Sequence, residues 1–413
     1  MSDSPLLDAL AAASPAPTAP APPKGFEPGF KFTPGGNLDT VTFAAQGLGP
    51  GATQDQYDDA ARAQGIPLPL DMSLQLIEVK MGHNPKAWQR DAEDRREKFT
   101  AYTAANTVWH YRFKVVPKSL WRGQDFEALM KEVRRARKGK GLTPKGTKTS
   151  EVIILGDFQA GKRDYLGGTP ELLERSEIAL EQVLAKIRRT KPTEIVLIDV
   201  GDALEGFASA PNAAQTNDLD LTEQLTVWRR ILWRWISALS KFGIRLIILG
   251  VPSNHCRVRT GKNADGKPND DWGLQTIGAV ADMAAVNPAA YGHVEFHVPP
   301  VHDEHLAFTL CGGKTIGAAH GHQKGSPDAL SGWLDGQSSG DAPVGQAYAV
   351  FFGHFHSLRR WSWGADRWAW VSPAMDNGSG WFSNLTGKKS RPGVLTVTFD
   401  EYGWRDEFIA WAA

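Results

Sequence analysis

Cysteine is scarce: Cys256 and Cys311 are the only two in 413 residues. Two thiols cannot build a disulfide scaffold or a four-thiolate zinc site. Long hydrophobic runs are missing too, and none approaches the ~20 apolar residues of a bilayer-spanning helix. No membrane partner is therefore expected. Excess charge of one sign is also lacking, with 46 Lys and Arg against 46 Asp and Glu. Without a global field, any attraction for nucleic acid must be local. The opening Met1-Ser2-Asp3-Ser4 has no basic stretch of the kind that begins a secretion signal. The expectation is a cytoplasmic protein. What is present is ordinary for a globular chain: 41% apolar and 22% charged residues.

Composition divides the chain. Residues 1–25 contain the run AAASPAPTAPAPP, which reads as a disordered tail or stiff spacer. Residues 26–118 form a small N-terminal α+β domain of unknown role. It has a helical segment over Thr53–Gln64 and a strand over Val108–Val116. Residues 119–148 read as a basic helix, Asp125–Lys138, and linker. Eight basic residues and one acidic residue lie between Lys131 and Lys148. That run is either a solvated hinge or a local phosphate-binding patch.

From residue 149 to 413 the pattern is regular. Apolar strands at Val152–Leu155, Ile195–Ile198 and Leu246–Leu249 alternate with helices at Pro170–Thr190 and Leu221–Phe242. Strand–helix alternation argues for α/β architecture. Further strands are expected at Leu306–Cys311, Lys314–Ala318, Ala347–Phe352, Trp368–Val371 and Val394–Phe399. The fold class is an α/β sandwich of two mixed sheets flanked by helices.

Polar residues follow these strands repeatedly. Asp157 and Gln159 follow the first, Asp202 and Glu205 the second, Asn254 and His255 the third. His320 and His322 follow Ile316–Ala319, and His354 and His356 follow Val350-Phe351-Phe352. Ligands of open α/β sheets bind at the carboxyl ends of the strands, so five such ends point to one cleft. One Gly-Asp is often only a turn, and one histidine is often only a packed side chain. The repeated placement makes the set informative. A carboxylate such as Asp202 can bridge two cations, with imidazole and amide ligands completing each shell. Two cations can clamp a phosphoryl group, and a nearby histidine can protonate the leaving oxygen.

In order, Gly156-Asp157-x-Gln159, Gly201-Asp202-x-x-Glu205, Ser253-Asn254-His255-Cys256, His320-Gly321-His322 and Gly353-His354-Phe355-His356 resemble the calcineurin-like metallophosphoesterases. The overall look also resembles predicted phosphoesterases of actinobacterial phages and prophages, which would place the chain in a host cytoplasm. The family resemblance implies a first metal on Asp157, Gln159, Asp202 and His356. It implies a second on Asp202, Asn254, His320 and His354. His255 would be the general acid or would stabilise charge on the phosphoryl oxygens, and His322 would be an outer neighbour. The implied cofactors are two divalent ions, Mn²⁺ favoured, with Mg²⁺, Zn²⁺, Fe²⁺ or Ni²⁺ as alternatives.

Two positions depart from the family pattern. Gln159 stands where histidine is usual, and Cys256 where a carboxylate that orients the catalytic histidine is usual. Gln159 tilts the first site away from Zn²⁺ and could weaken it.

Arg257 and Arg259 are substrate-binding candidates, since arginine suits bidentate phosphate contacts. Lys162 and Arg163 are further candidates. Trp228, Trp233 and Trp235 read as core of one helix. Trp361, Trp363, Trp368 and Trp370 read as lining one sheet face. The polar, Gly-rich stretch Gly325–Val344 reads as a lid loop. The leading function is hydrolysis of phosphodiester bonds in nucleic acid, as a DNA nuclease. The alternatives are a phosphatase or phosphodiesterase of nucleotides or cyclic nucleotides, and a metal-binding interaction module without turnover. The oligomeric state stays open, a homodimer included.

Overall fold

The structure is a computed structural model. It describes residues 27–32, 38–46, 54–68, 72–83, 88–90, 96–98, 107–117, 123–145, 148–207, 217–259, 266–380 and 391–412, with isolated positions besides. The expected tail at residues 1–25 lies outside the described residues, apart from Lys24. Contacts divide the chain into two compact units, Met1–Leu120 and Trp121–Ala413.

The first unit holds β1 (Gly29–Phe32), β2 (Leu38–Gln46), α1 (Gln54–Ala63), β3 (Met72–His83), β4 (Trp88–Arg90), β5 (Arg96–Lys98) and β6 (Thr107–Pro117). Four strands form an antiparallel sheet in the order β1-β2-β6-β3, and β4 pairs with β5. Alternate residues of β2 and β6 put Val41, Phe43, Tyr111 and Phe113 on one face. Tyr57 of α1 packs against Tyr111 and Phe113, with ring centroids 5.2 and 5.1 Å away. The buried Asp58 carboxylate accepts the Leu74 N–H at 2.9 Å and ties α1 to β3.

The second unit begins with α2 (Gly123–Arg135). Its Leu129, Met130 and Val133 are buried in the same apolar cluster as α3 (Thr169–Thr190) and α4 (Leu221–Ser240). The basic residues of this helix occupy its other face, as expected of an amphipathic surface helix.

The first sheet of the unit comprises β7 (Ser150–Leu155), β8 (Glu194–Asp199), β9 (Arg245–Gly250), β10 (Val294–His297), β16 (Gly393–Asp400) and β17 (Gly403–Trp411). Its order is β10-β9-β8-β7-β16-β17, with β7 to β10 parallel and the last two strands antiparallel. The second sheet comprises β11 (His305–Thr309), β12 (Thr315–Ala319), β13 (Ala349–Phe352), β14 (Arg359–Trp363) and β15 (Arg367–Val371), ordered β11-β12-β13-β15-β14. Here β12, β13 and β15 run parallel, and both edges are antiparallel.

Why the central strands are almost wholly apolar follows from this layering. Side chains alternate faces along a strand, and here both faces are covered. Val152 and Ile154 enter the core between the sheets, with Phe351 and Trp370. Ile153 and Leu155 enter the core beneath the helices, with Trp228 and Trp235. The architecture is the predicted sandwich of two mixed sheets flanked by helices.

Two expectations are corrected. The stretch Gly325–Val344 is not an open lid loop. It contains a helix, Leu330–Ser339, whose Leu330 and Leu334 are buried against the second sheet with Val344. The i, i+4 pair outweighs the local glycine and serine content. Nor do four tryptophans line one sheet face. The β14–β15 register sets Trp361 opposite Ala369 and Ser362 opposite Trp368. Trp361 and Trp363 therefore join the cluster under the Leu330–Ser339 helix, whereas Trp368 and Trp370 join the core between the sheets. Even spacing within each strand is not even spacing across the turn.

A buried ion pair bolts α3 to the first sheet. Lys186 Nζ lies 2.8 Å from Glu151 Oε1 and donates to Thr396 Oγ1 at 2.8 Å. Lys186→Ala would strand a buried carboxylate, at a cost of about 3–5 kcal/mol. In a unit of this size the melting temperature should fall by roughly 10 °C. The double variant Lys186→Met/Glu151→Gln should recover most of that loss in a thermal melt. An unchanged melt for Lys186→Ala would refute this role.

Candidate metal centre

Six of the parallel strands, β7, β8, β9, β12, β13 and β15, end on one side of the sandwich, and the loops that leave them carry the polar residues. Asp157 and Gln159 follow β7, Asp202 follows β8, and Asn254 and His255 follow β9. His320 follows β12, and His354 and His356 follow β13. The sixth strand, β15, leads to Asp376, which the strand-end motifs do not reveal. It stands five residues past the strand end, behind Ser372-Pro373-Ala374-Met375. Extending the same rule by one more turn of chain would have found it.

The loop backbones are strained at these positions. Seven described residues other than glycine have positive φ, and five are predicted ligands: Asp157 (49°), Gln159 (44°), Asp202 (50°), His354 (68°) and His356 (56°). The left-handed region costs such residues about 1–3 kcal/mol each. Strain concentrated in this way points to a functional site, where the surrounding packing holds it in place. Gly201 shows how tight the packing is. Its φ is +98°, and a Cβ there would lie 2.6 Å from Ser253 Cβ and 2.8 Å from His320 Nδ1.

The side chains form two groups. In the first, donor atoms of Asp202, His320 and His354 all lie within 4.8 Å of one another. Among the described residues, no other three His, Cys, Asp or Glu side chains converge in this way. His320 Nε2 is 3.0 Å from Asp202 Oδ2 and 2.9 Å from Asn254 Oδ1. Its other nitrogen, Nδ1, lies 2.8 Å from the Val200 carbonyl oxygen. That hydrogen bond aims Nε2 into the group, the usual way a ligating imidazole is oriented. Two imidazoles, a carboxylate and an amide oxygen fit a divalent transition metal.

Electrostatics follow from this crowding. Burial pushes the Asp202 pKa up, but His320 and His255 pull harder, and it ends well below the usual carboxylate range. Burial lowers the His320 pKa, and Asp202 more than reverses this, to about 9. Burial and the neighbouring His320 push His354 down to about 4. The carboxylate thus attracts one cation strongly, and a proton on His320 competes with a metal for the same place.

The second group centres on His356 and Gln159. His356 Nε2 is 3.4 Å from Asp157 Oδ1, and Nδ1 is 3.2 Å from Asp376 Oδ2. Gln159 Oε1 accepts a hydrogen bond from Lys162 Nζ at 2.6 Å. Lys162 also pairs with Asp376 Oδ2 at 2.7 Å. Both partners are buried, so Lys162 does not reach outward as a substrate contact as expected; the Asp376 carboxylate holds it inside. Asp157 meanwhile accepts the His354 N–H at 3.0 Å on each of its oxygens.

His255 stands beside the first group. Its backbone N–H donates to Asp202 Oδ1 at 2.9 Å. Its Nδ1 is 2.7 Å from the Glu205 carbonyl oxygen and 3.6 Å from Glu205 Oε2. The Glu205 carbonyl therefore orients the ring. Cys256 plays a different part, its buried Sγ accepting the Leu204 N–H at 3.4 Å. Burial, with Asp271 and Asp202 nearby, pushes this thiol well up. Asp271 is likewise invisible to the strand-end motifs. Its carboxylate accepts the Ser253 N–H at 2.9 Å and the Leu274 N–H at 3.0 Å. It caps α5 (Trp272–Ala285) and braces the loop that carries Asn254 and His255.

A cleft of about 410 Å³ opens at His255, lined by Gly206, Phe207, Arg257, Val258, Arg259 and Trp272 among others. Arg257 Nη2 is 2.9 Å from Glu304 Oε1. His322 turns the same way, its Nε2 3.4 Å from Glu304 Oε2. It is an outer neighbour, 5.5 Å from His320 between ring centroids. Among the described residues no helix is long and apolar enough to cross a membrane.

No protein-family model matches the chain, and no curated protein does. Similar solved structures include TT1561 of Thermus thermophilus, at 10% identity and TM-score 0.31, covering 64% of this chain and 99% of that one. Another is purple acid phosphatase PPD1 from yellow lupin, at 10% identity and TM-score 0.30, covering 90% and 72%. A third is a dimetal phosphatase from Danio rerio, at 9% identity and TM-score 0.28, covering 65% and 100%.

Proposed function

We propose that this chain is a metal-dependent phosphoesterase that hydrolyses phosphodiester bonds, with nucleic acid as its substrate. One observation carries the reading: Asp202, His320 and His354 converge at strand ends, and His255 stands beside them on the wall of a cleft. The order of motifs, which resembles calcineurin-like metallophosphoesterases, supports it.

Asp202, Asn254, His320 and His354 would hold a divalent cation, Mn²⁺ by preference. When bound, that cation supplies Lewis acidity toward the phosphoryl oxygens and an acidified water. The protein's residues do the rest. Asp202 fixes the His255 backbone, and the Glu205 carbonyl holds His255 Nδ1. The ring therefore turns Nε2 toward the converging group, 4.0 Å from Asp202 Oδ2 at the edge of the cleft, where it would deliver a proton to the departing oxygen. Arg257, steadied by Glu304, and Arg259 are placed to bind phosphate along the cleft. Phe207 and Trp272 line the same cleft and offer faces on which bases stack. The 26–118 domain is proposed as a grip on the polymer, and 149–413 as the catalytic domain.

The test is cleavage of labelled single- and double-stranded DNA beside bis-p-nitrophenyl phosphate, both measured as salt rises from about 50 to about 200 mM. DNA cleavage should fall at least about tenfold, because polymer binding releases counterions. Cleavage of the small diester should stay within about twofold, since one phosphate contact releases few counterions. Turnover of mononucleotides or cyclic nucleotides without DNA cleavage would replace the nucleic-acid reading with nucleotide chemistry.

A further inference from the structure

We infer that the centre takes one divalent cation rather than two, and that the buried ammonium of Lys162 stands in for the other. The inference rests on the metallophosphoesterase reading and narrows it. Gln159, the residue that departs from the family pattern, is the starting point. Its Oε1 would be the ligand atom, yet it already accepts a hydrogen bond from Lys162 Nζ at 2.6 Å. A cation bound to that oxygen would sit within about 5 Å of the ammonium, given ligand distances of ~2.0–2.6 Å. Both would be shielded from water, since Lys162 is 7% exposed and Gln159 1%. Like charges so close and so poorly screened exclude each other.

The surroundings hold Lys162 in place. Asp376 Oδ2 accepts from Nζ at 2.7 Å. The Lys162 N–H donates to the Gln159 carbonyl at 3.0 Å, closing a tight turn. An isolated bridge pairs Lys162 with Asn217. The remaining ligands of this subsite are also engaged. His356 lies between Asp157 and Asp376, and Asp157 accepts the His354 N–H. The amide brings no negative charge to offset the repulsion. The ammonium, paired with Asp376, thus fills this side of the centre with a cation that needs no metal. The group of Asp202, His320, His354 and Asn254 is different. It contains no lysine or arginine, only a carboxylate, two imidazoles and an amide, and it keeps its cation.

The experiment measures stoichiometry. The full chain is stripped with chelator, dialysed against micromolar Mn²⁺, and read by elemental analysis and by electron paramagnetic resonance. One Mn²⁺ per chain is expected, with the six-line spectrum of an isolated ion. Gln159→Ala should leave both unchanged and shift affinity by less than threefold. Lys162→Met with Gln159→His should raise the count to two and bring in an exchange-coupled spectrum. Two Mn²⁺ in the natural chain, or a tenfold affinity loss in Gln159→Ala, would overturn the inference and leave the phosphoesterase reading standing. A count that stays at one in a folded double variant would remove Lys162 from the explanation. A count of zero would overturn both.

Discussion

Asp202→Asn should yield a folded protein that binds no Mn²⁺ at the micromolar concentrations that saturate the natural chain. Its turnover should fall by about 10²–10³, the scale expected when an electrostatic stabiliser of the transition state is removed. Three observations put the largest effect here. Asp202 is the one carboxylate in the converging group. Its Oδ1 accepts from the His255 backbone, and its Oδ2 lies 3.0 Å from His320 Nε2. Its φ is +50°, a conformation that asparagine tolerates and most residues do not. Asparagine therefore removes the charge and spares the backbone. Melting temperature should move little, because the carboxylate sits 1% exposed among polar groups that the amide can still bond. Retained metal and retained turnover in D202N would remove the residue from the site.

His255→Ala should separate binding from chemistry. Metal content should not change, because the His255 side chain stands outside the converging group. Turnover should fall by about 10²–10⁴, the usual contribution of a positioned general acid. The loss should depend on the leaving group. A p-nitrophenolate departs without a proton, so the variant should lose little on bis-p-nitrophenyl phosphate. An alkoxide, as from a DNA strand, needs the proton, and there the full loss is expected. Equal losses on both substrates would show that His255 serves charge stabilisation or structure instead. Glu205→Ala should change the same rate only modestly, because the group that orients the ring is the Glu205 backbone carbonyl at 2.7 Å.

Much of this is legible in the sequence for a physical reason. Strands covered on both faces are apolar over most of their length, so β7, β8 and β9 stand out as continuous runs ending in Gly-Asp or Asn-His. The site follows because a strand end in such a sheet is where polar residues can gather. What stays hidden depends on distance in space. Asp376 carries no motif, and its partners Lys162 and His356 are 214 and 20 residues away. Lys162 reads as a surface cation because nothing nearby in sequence indicates a buried carboxylate waiting for it. Cys256 looks like a damaged orienting group, yet the orienting is done by a main-chain oxygen, which no side-chain pattern can report. The tryptophans of β14 and β15 resist assignment because facing depends on the register across the turn.

The most direct measurement is hydrolysis of bis-p-nitrophenyl phosphate by the chelator-stripped protein, before and after Mn²⁺ is restored, with D202N in parallel. A metal-dependent phosphoesterase centred on Asp202 requires no turnover in the stripped protein, recovery with Mn²⁺, and no recovery in D202N. Natural protein that binds Mn²⁺ and still hydrolyses no phosphate ester would contradict it, and so would turnover that D202N shares.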